Sequence, residues 1–269
     1  MNVTLYKQMM KVNMKSLMNY AFGSAFYILL MFWLYPSIAK NTKAIDDLVA
    51  SMPEGVGKAF GLNGFGTAEA FISGEYYGLI LVLILAIVCV QLTTQLMAKL
   101  VDQGSMAYLL SAPTTRGKVA LTQAMVTTSG LFLILAVTTL AGFAGSAWLL
   151  GDSYEFDTAR FIQMNVAAFL LFFAISSVCF LVSSLCNDEK KARSISGLIT
   201  FGFFSLDLIS KFSEKIEWLR NLTLFSLYRP GEIVNGTGEF MTTSLVLAAI
   251  GLIAFGLAVV LFRKRDLPL

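Results

Sequence analysis

Six long apolar stretches dominate this chain, each about as long as a lipid bilayer is thick. They fall at about 20–38, 77–98, 119–149, 161–186, 194–211 and 241–262. About 20 apolar residues at a rise of about 1.5 Å cross the roughly 30 Å hydrocarbon core. Lipid offers backbone N–H and C=O groups no water, so such stretches must satisfy themselves as helices. Composition agrees, with 57% hydrophobic and only 14% charged residues among 269. The pattern predicts an all-α polytopic membrane protein, one transmembrane domain over 1–269 with six spans.

An even number of spans returns both termini to one side, and charge says which. Twelve of the 20 Lys and Arg gather at one set of span ends. They are Lys7, Lys11 and Lys15; Lys99, Arg116 and Lys118; Lys190, Lys191 and Arg193; and Arg263, Lys264 and Arg265. The positive-inside rule makes that side cytoplasmic. The net charge of +3 gives no argument for a nucleic-acid partner, because topology and anionic lipid already account for bases at span ends. The chain has no histidine, which removes His-ligated metal sites and Ser–His or Cys–His hydrolases. Its three cysteines, Cys89, Cys179 and Cys186, fall within or at the inner ends of spans, so no disulfide framework is expected.

Between the spans lie segments with character of their own. Over 1–19, Val3, Tyr6, Met10, Met14, Leu17 and Met18 recur at near-helical spacing, beside a stripe of Lys7, Lys11 and Lys15. This predicts an interfacial N-terminal helix ahead of the first span. The long outer loop 37–76 carries a short amphipathic piece around Val56, Ala59, Phe60 and Leu62. It also holds Gly55-Val56-Gly57-Lys58-Ala59, which lacks the first Gly and the Ser/Thr of a phosphate-binding loop. The last outer segment, 212–240, mixes an apolar face with Lys215, Glu217 and Arg220, and reads as a re-entrant or interfacial helix ending near Pro230-Gly231.

The inner loop 99–118 is too polar for a span and too apolar for a plain linker. Gly104-Ser105 can open a short helix with Ser105 as its cap, and Pro113 stops it. Met106, Leu109 and Leu110 share one face. Either that face receives a partner, or it packs on its own helix ends.

Here the residues carry a resemblance. Gly104-Ser105, Leu109-Leu110, Pro113 and Arg116 resemble the pattern of bacterial ABC-2-type permeases, the membrane subunits of ATP-binding-cassette exporters. In that family the stretch after the second span reads acid-x-Gly-Thr, then Leu-Leu, then Pro-x-x-Arg. Asp102, Gly104 and Ser105 fit, with Ser for Thr. The exit Phe262-Arg263-Lys264-Arg265-Asp266 is similar to the family's end of the sixth span. Met52-Pro53-Glu54 and Lys58-Ala59-Phe60-Gly61 resemble its segment after the first. Gln123 departs from the pattern, standing where a lysine is expected. The resemblance covers essentially the whole chain. It implies two permeases, identical or different, around a central path in the bacterial cell membrane, with two cytoplasmic ABC ATPase subunits beneath. The helix around 102–112 would be the coupling helix, with Asp102, Gly104, Ser105, Met106, Leu109, Leu110, Pro113 and Arg116 as its residues. ATP and Mg would bind the partner; this chain would hold no cofactor, metal or catalytic residue.

The resemblance also makes the second and fifth spans the lining of the path. Gln91, Thr93, Thr94 and Gln95 then either line an inner vestibule or bond between helices. Phe201, Phe203 and Phe204 give either an apolar path or ordinary packing. Asp207 is the one acid within a predicted span, with Lys211 at i+4. It is either half of a structural pair or a contact on the path. Many phenylalanines and few intramembrane charges favour a hydrophobic or amphipathic cargo, such as an antibiotic, a peptide or a lipid-like molecule. The alternatives are a sodium-exporting permease or an ATP-independent carrier, which would need more buried charge than Asp207 supplies.

Overall fold

A computed structural model describes residues 1–41, 51, 66–151, 154–212 and 214–266. The readings made for 52–62, including the phosphate-loop lookalike, lie outside the described residues. Six helices are long and apolar enough to cross a membrane: α1 (Val3–Ala39), α2 (Ala68–Asp102), α4 (Arg116–Leu150), α5 (Thr158–Leu185), α6 (Glu189–Ser210) and α8 (Phe240–Lys264). Between α2 and α4 sits the short α3 (Ser105–Ser111). Two 3₁₀ turns (Glu214–Leu222 and Leu224–Leu227) and the short α7 (Pro230–Asn235) separate α6 from α8. The chain is a multi-pass α-helical membrane protein.

Three boundaries differ from the sequence reading. Residues 1–19 and 20–38 form one helix, α1, with the Asn2 side chain accepting from Leu5 N at 3.1 Å as its cap. At about 1.5 Å per residue its 37 residues measure roughly 55 Å, more than a bilayer core. The second helix begins at Ala68 rather than 77, capped by Thr67, and runs as a π-helix over Ser73–Ile80. Glu69 and Glu75 therefore belong to a helix, not a loop. Pro230 opens α7 instead of ending a helix, because a proline at the first helical position has no N–H to leave unpaired.

The bundle pairs α1 with α4 and α5 with α8 along much of their lengths, while α2 packs on α5 and α6. The larger core runs along most of the bundle, from Leu96 and Val126 to Tyr35 and Phe71. Phe161 of α5 is its hub, ringed edge-on by Phe32, Tyr77 and Phe143 at centroid distances of 6.5, 6.2 and 5.5 Å. An ideal Cβ at Gly142 would overlap the Phe161 ring, so α4 needs glycine there. Buried hydroxyls lock three helices: Ser24 Oγ lies 2.5 Å from Tyr76 Oη and 2.7 Å from Thr138 Oγ1. A second core gathers Leu5, Met97, Val101, Met106, Val119, Phe180, Phe255 and Phe262. Because it contains both Leu5 and Phe262, both termini lie at one end of the bundle.

Candidate functional site

The segment singled out by sequence lies at that terminal end. Gly104 caps α3 with φ 69°, a left-handed conformation that disfavours any Cβ. Ser105 is thus the first helical residue, not the cap. Ala112 is extended (ψ 158°), as the residue before Pro113 must be, and α3 stops there. The apolar face turns inward: Met106 is fully buried in the second core, with Leu109 and Leu110 half-buried against it. What projects instead is Tyr108, 82% exposed. Sequence reasoning missed it, because a single aromatic on a seven-residue helix carries no pattern.

Hydrogen bonds tie this segment to the rest of the terminal end. Asp102 Oδ2 accepts from the Glu189 backbone N–H at 3.1 Å, and Asp188 Oδ1 accepts from Lys191 N–H at 2.5 Å. Two carboxylates therefore serve the first turn of α6, where unpaired N–H groups and the helix dipole favour negative charge. Arg116 Nη1 donates to the Arg265 carbonyl at 2.5 Å. Arg265 in turn donates to the carbonyls of Ser184 (2.5 Å) and Cys186 (3.2 Å) and to the Asn187 side chain. Partial burial lowers the Arg265 pKa, though a guanidinium stays charged. Asp102 and Arg116 act here as braces. Gln123, the departure from the family pattern, is buried with neither amide atom partnered among the described residues. A neutral amide costs less there than an ammonium would.

The proposed path residues lie on two spans, Gln91 and Thr94 on α2 and Phe201, Phe204 and Asp207 on α6. Gln91 accepts from the Tyr20 hydroxyl at 2.7 Å, binding α2 to α1. Thr94 is buried, its hydroxyl without a partner among the described residues. Phe201 is 37% exposed on α6, whereas Phe204 packs against Phe225 at a 5.6 Å centroid distance. Asp207 is buried between two cations: Lys211 Nζ at 2.8 Å, as the i+4 spacing foresees, and Arg220 Nε at 3.3 Å, which the sequence did not signal. The Arg220 approach has ion-pair distance without hydrogen-bond alignment. Asp207 thereby fastens the 3₁₀ turn to the end of α6. Among the described residues no cluster of acids, Cys and His is placed to hold a metal.

Six apolar spans, with a short helix braced at the terminal end, define a multi-pass integral membrane protein. Residues 4–267 match the family model described as ABC-2 family transporter protein. The chain belongs to the ABC-2 transporter family, as a membrane transport subunit. Comparison with curated proteins finds no match.

Proposed function

We propose that this chain is the permease of an ATP-driven exporter in the bacterial cell membrane, with both termini cytoplasmic and a separate ABC ATPase docked under α3. The family match across nearly the whole chain carries this reading. Two features of the fold support it. First, α3 packs on the second core at the terminal end with Tyr108 presented outward. Second, α6 is the least covered span, with 22% of its most apolar window buried. Its exposed stripe of Ser194, Leu198, Phe201, Ser205 and Ile209 mixes small polar and apolar groups. Gly197 and Gly202 beside it have open space where a side chain would stand. Such a face suits a second permease and an amphipathic cargo between the two. The gate of the cycle is then closure of the ATPase pair, pushing α3 and through it the spans.

The test is co-purification in mild detergent with each ABC ATPase of the same cell, comparing the natural chain with Tyr108→Asp. Leu109 and Leu110 are poor probes, since both help fill the second core. Capture of one ATPase, lost in Y108D while the protein stays monodisperse, supports the reading. Failure of the natural, folded chain to retain any ATPase overturns it in favour of an ATP-independent carrier.

A further inference from the structure

Near the terminal end, α2 is broken at Met97, whose φ −124° and ψ −77° lie outside the helical region. Met97 N–H still reaches the Thr93 carbonyl at 3.2 Å. One residue later the ladder is lost: Ala98 N–H donates to Ser183 Oγ of α5 at 3.1 Å instead. The same hydroxyl donates to the Thr93 carbonyl at 3.0 Å. A single side chain from a neighbouring helix thus bridges the break, accepting from below it and donating above it. Thr93, Met97, Ala98 and Ser183 are all buried, so water does not replace the bond that Ser183 makes to Ala98. A side chain inserted into the ladder is a recognised cause of a sharp helix break.

Beyond the break, the last turn of α2 (Ala98–Asp102) leads through Gly104 directly into α3. This short piece carries Met106 into the second core and passes the Asp102 carboxylate to the first turn of α6. Besides its packing on the second core, it joins the long part of α2 at one distorted residue and reaches α6 through the Asp102 hydrogen bond.

We infer that Met97 is the hinge about which 98–111 moves as one piece, and that Ser183 is the positioning residue that sets it. The inference rests on the coupling reading of α3. A hinge is a residue that absorbs the change in φ and ψ so that the elements on either side stay intact. A hydroxyl suits the bridging task because it rotates and exchanges partners, while a backbone group is fixed in direction. A push on α3 is then divided: rotation at Met97 leaves the long part of α2 in place, and Asp102 pulls on α6.

Hydrogen exchange followed by mass spectrometry on the full chain in nanodiscs tests this without any ATPase. In Ser183→Ala, amides within 98–111 are expected to exchange at least about tenfold faster, because Ala98 N–H has lost its buried acceptor. Amides of 81–93 and of 158–182 are expected to keep their natural rates. Ser183→Thr, which retains the hydroxyl, is expected to restore slow exchange. Unchanged exchange over 98–111 in folded S183A overturns the hinge. So does equal loosening of the whole of α2 and α5, or a folded S183T that exchanges like S183A. Should S183A not fold, Ser183→Cys replaces it, with a weaker acceptor and an intermediate rate expected. Loss of ATPase capture would overturn the coupling reading and leave the exchange result standing; normal exchange with capture intact would sink the hinge alone.

Discussion

At Asp207 the carboxylate lies between Lys211 and Arg220 with a side-chain exposure of 5%, against 29% and 19% for its partners. Removing one member of a fully buried ion pair costs about 3–5 kcal/mol, and the partial exposure of both cations reduces that. Asp207→Asn is therefore expected to destabilise the folded protein by about 2 kcal/mol, read as a lower thermal midpoint in detergent. Combining it with Lys211→Met should recover part of the loss, since the stranded ammonium is gone. If D207N leaves the midpoint unchanged while altering transport, the residue belongs to the path and not to the brace. Gly104 allows a cleaner prediction, because an added Cβ meets nothing within 4 Å and only the positive φ opposes it. Gly104→Ala should cost about 1 kcal/mol and Gly104→Asn less, since Asn tolerates the left-handed region. Equal stability of G104A and the natural chain would show that φ relaxes there.

The first turn of α6 draws on two carboxylates from different places, Asp188 just ahead of it and Asp102 from the end of α2. Asp188→Ala and Asp102→Ala should each cost about 1 kcal/mol, the usual loss for a helix cap. The double variant should fall short of the sum, since both act on one helix end. Full additivity would mean that the two carboxylates serve unrelated purposes. The role of Asp102 was not legible in the sequence, where it counted only as part of a motif. The six spans were legible, because lipid forces long apolar runs into helices whatever they pack against. Their ends were less so. Glu69 and Glu75 read as loop, yet Glu69 is buried, with its carboxylate accepting from the Asp157 backbone N–H, and so is accommodated inside α2. The periodicity of 1–19 is the same whether that stretch lies in the interface or continues straight into a span, so it could not reveal that α1 is unbroken. For the candidate site, the apolar face of α3 was visible in Met106, Leu109 and Leu110, but not its direction. The tie from Ser183 had no signal, since one serine among several on α5 becomes special only where α2 breaks beside it.

For the whole molecule, the cysteines offer a readout of orientation that needs no substitution. Cys89 and Cys179 are buried between helices, whereas Cys186 is half-buried at the terminal end, where Arg265 holds its carbonyl. The proposed topology, argued from the basic span ends, puts that side in the cytoplasm. A membrane-impermeant maleimide should therefore leave the natural chain unlabelled in intact cells. In inside-out vesicles it should add a single label, at Cys186, and after denaturation three. The two buried thiols serve as internal controls, because labelling at Cys89 or Cys179 before denaturation would report unfolding instead of topology. Cys186→Ser should abolish the vesicle signal without changing the denatured count by more than that one site. Labelling of Cys186 in intact cells would put both termini outside. The short helix α3, which shares that end of the bundle, would then face away from any cytoplasmic ATPase, and the exporter reading would fall with the topology that supports it.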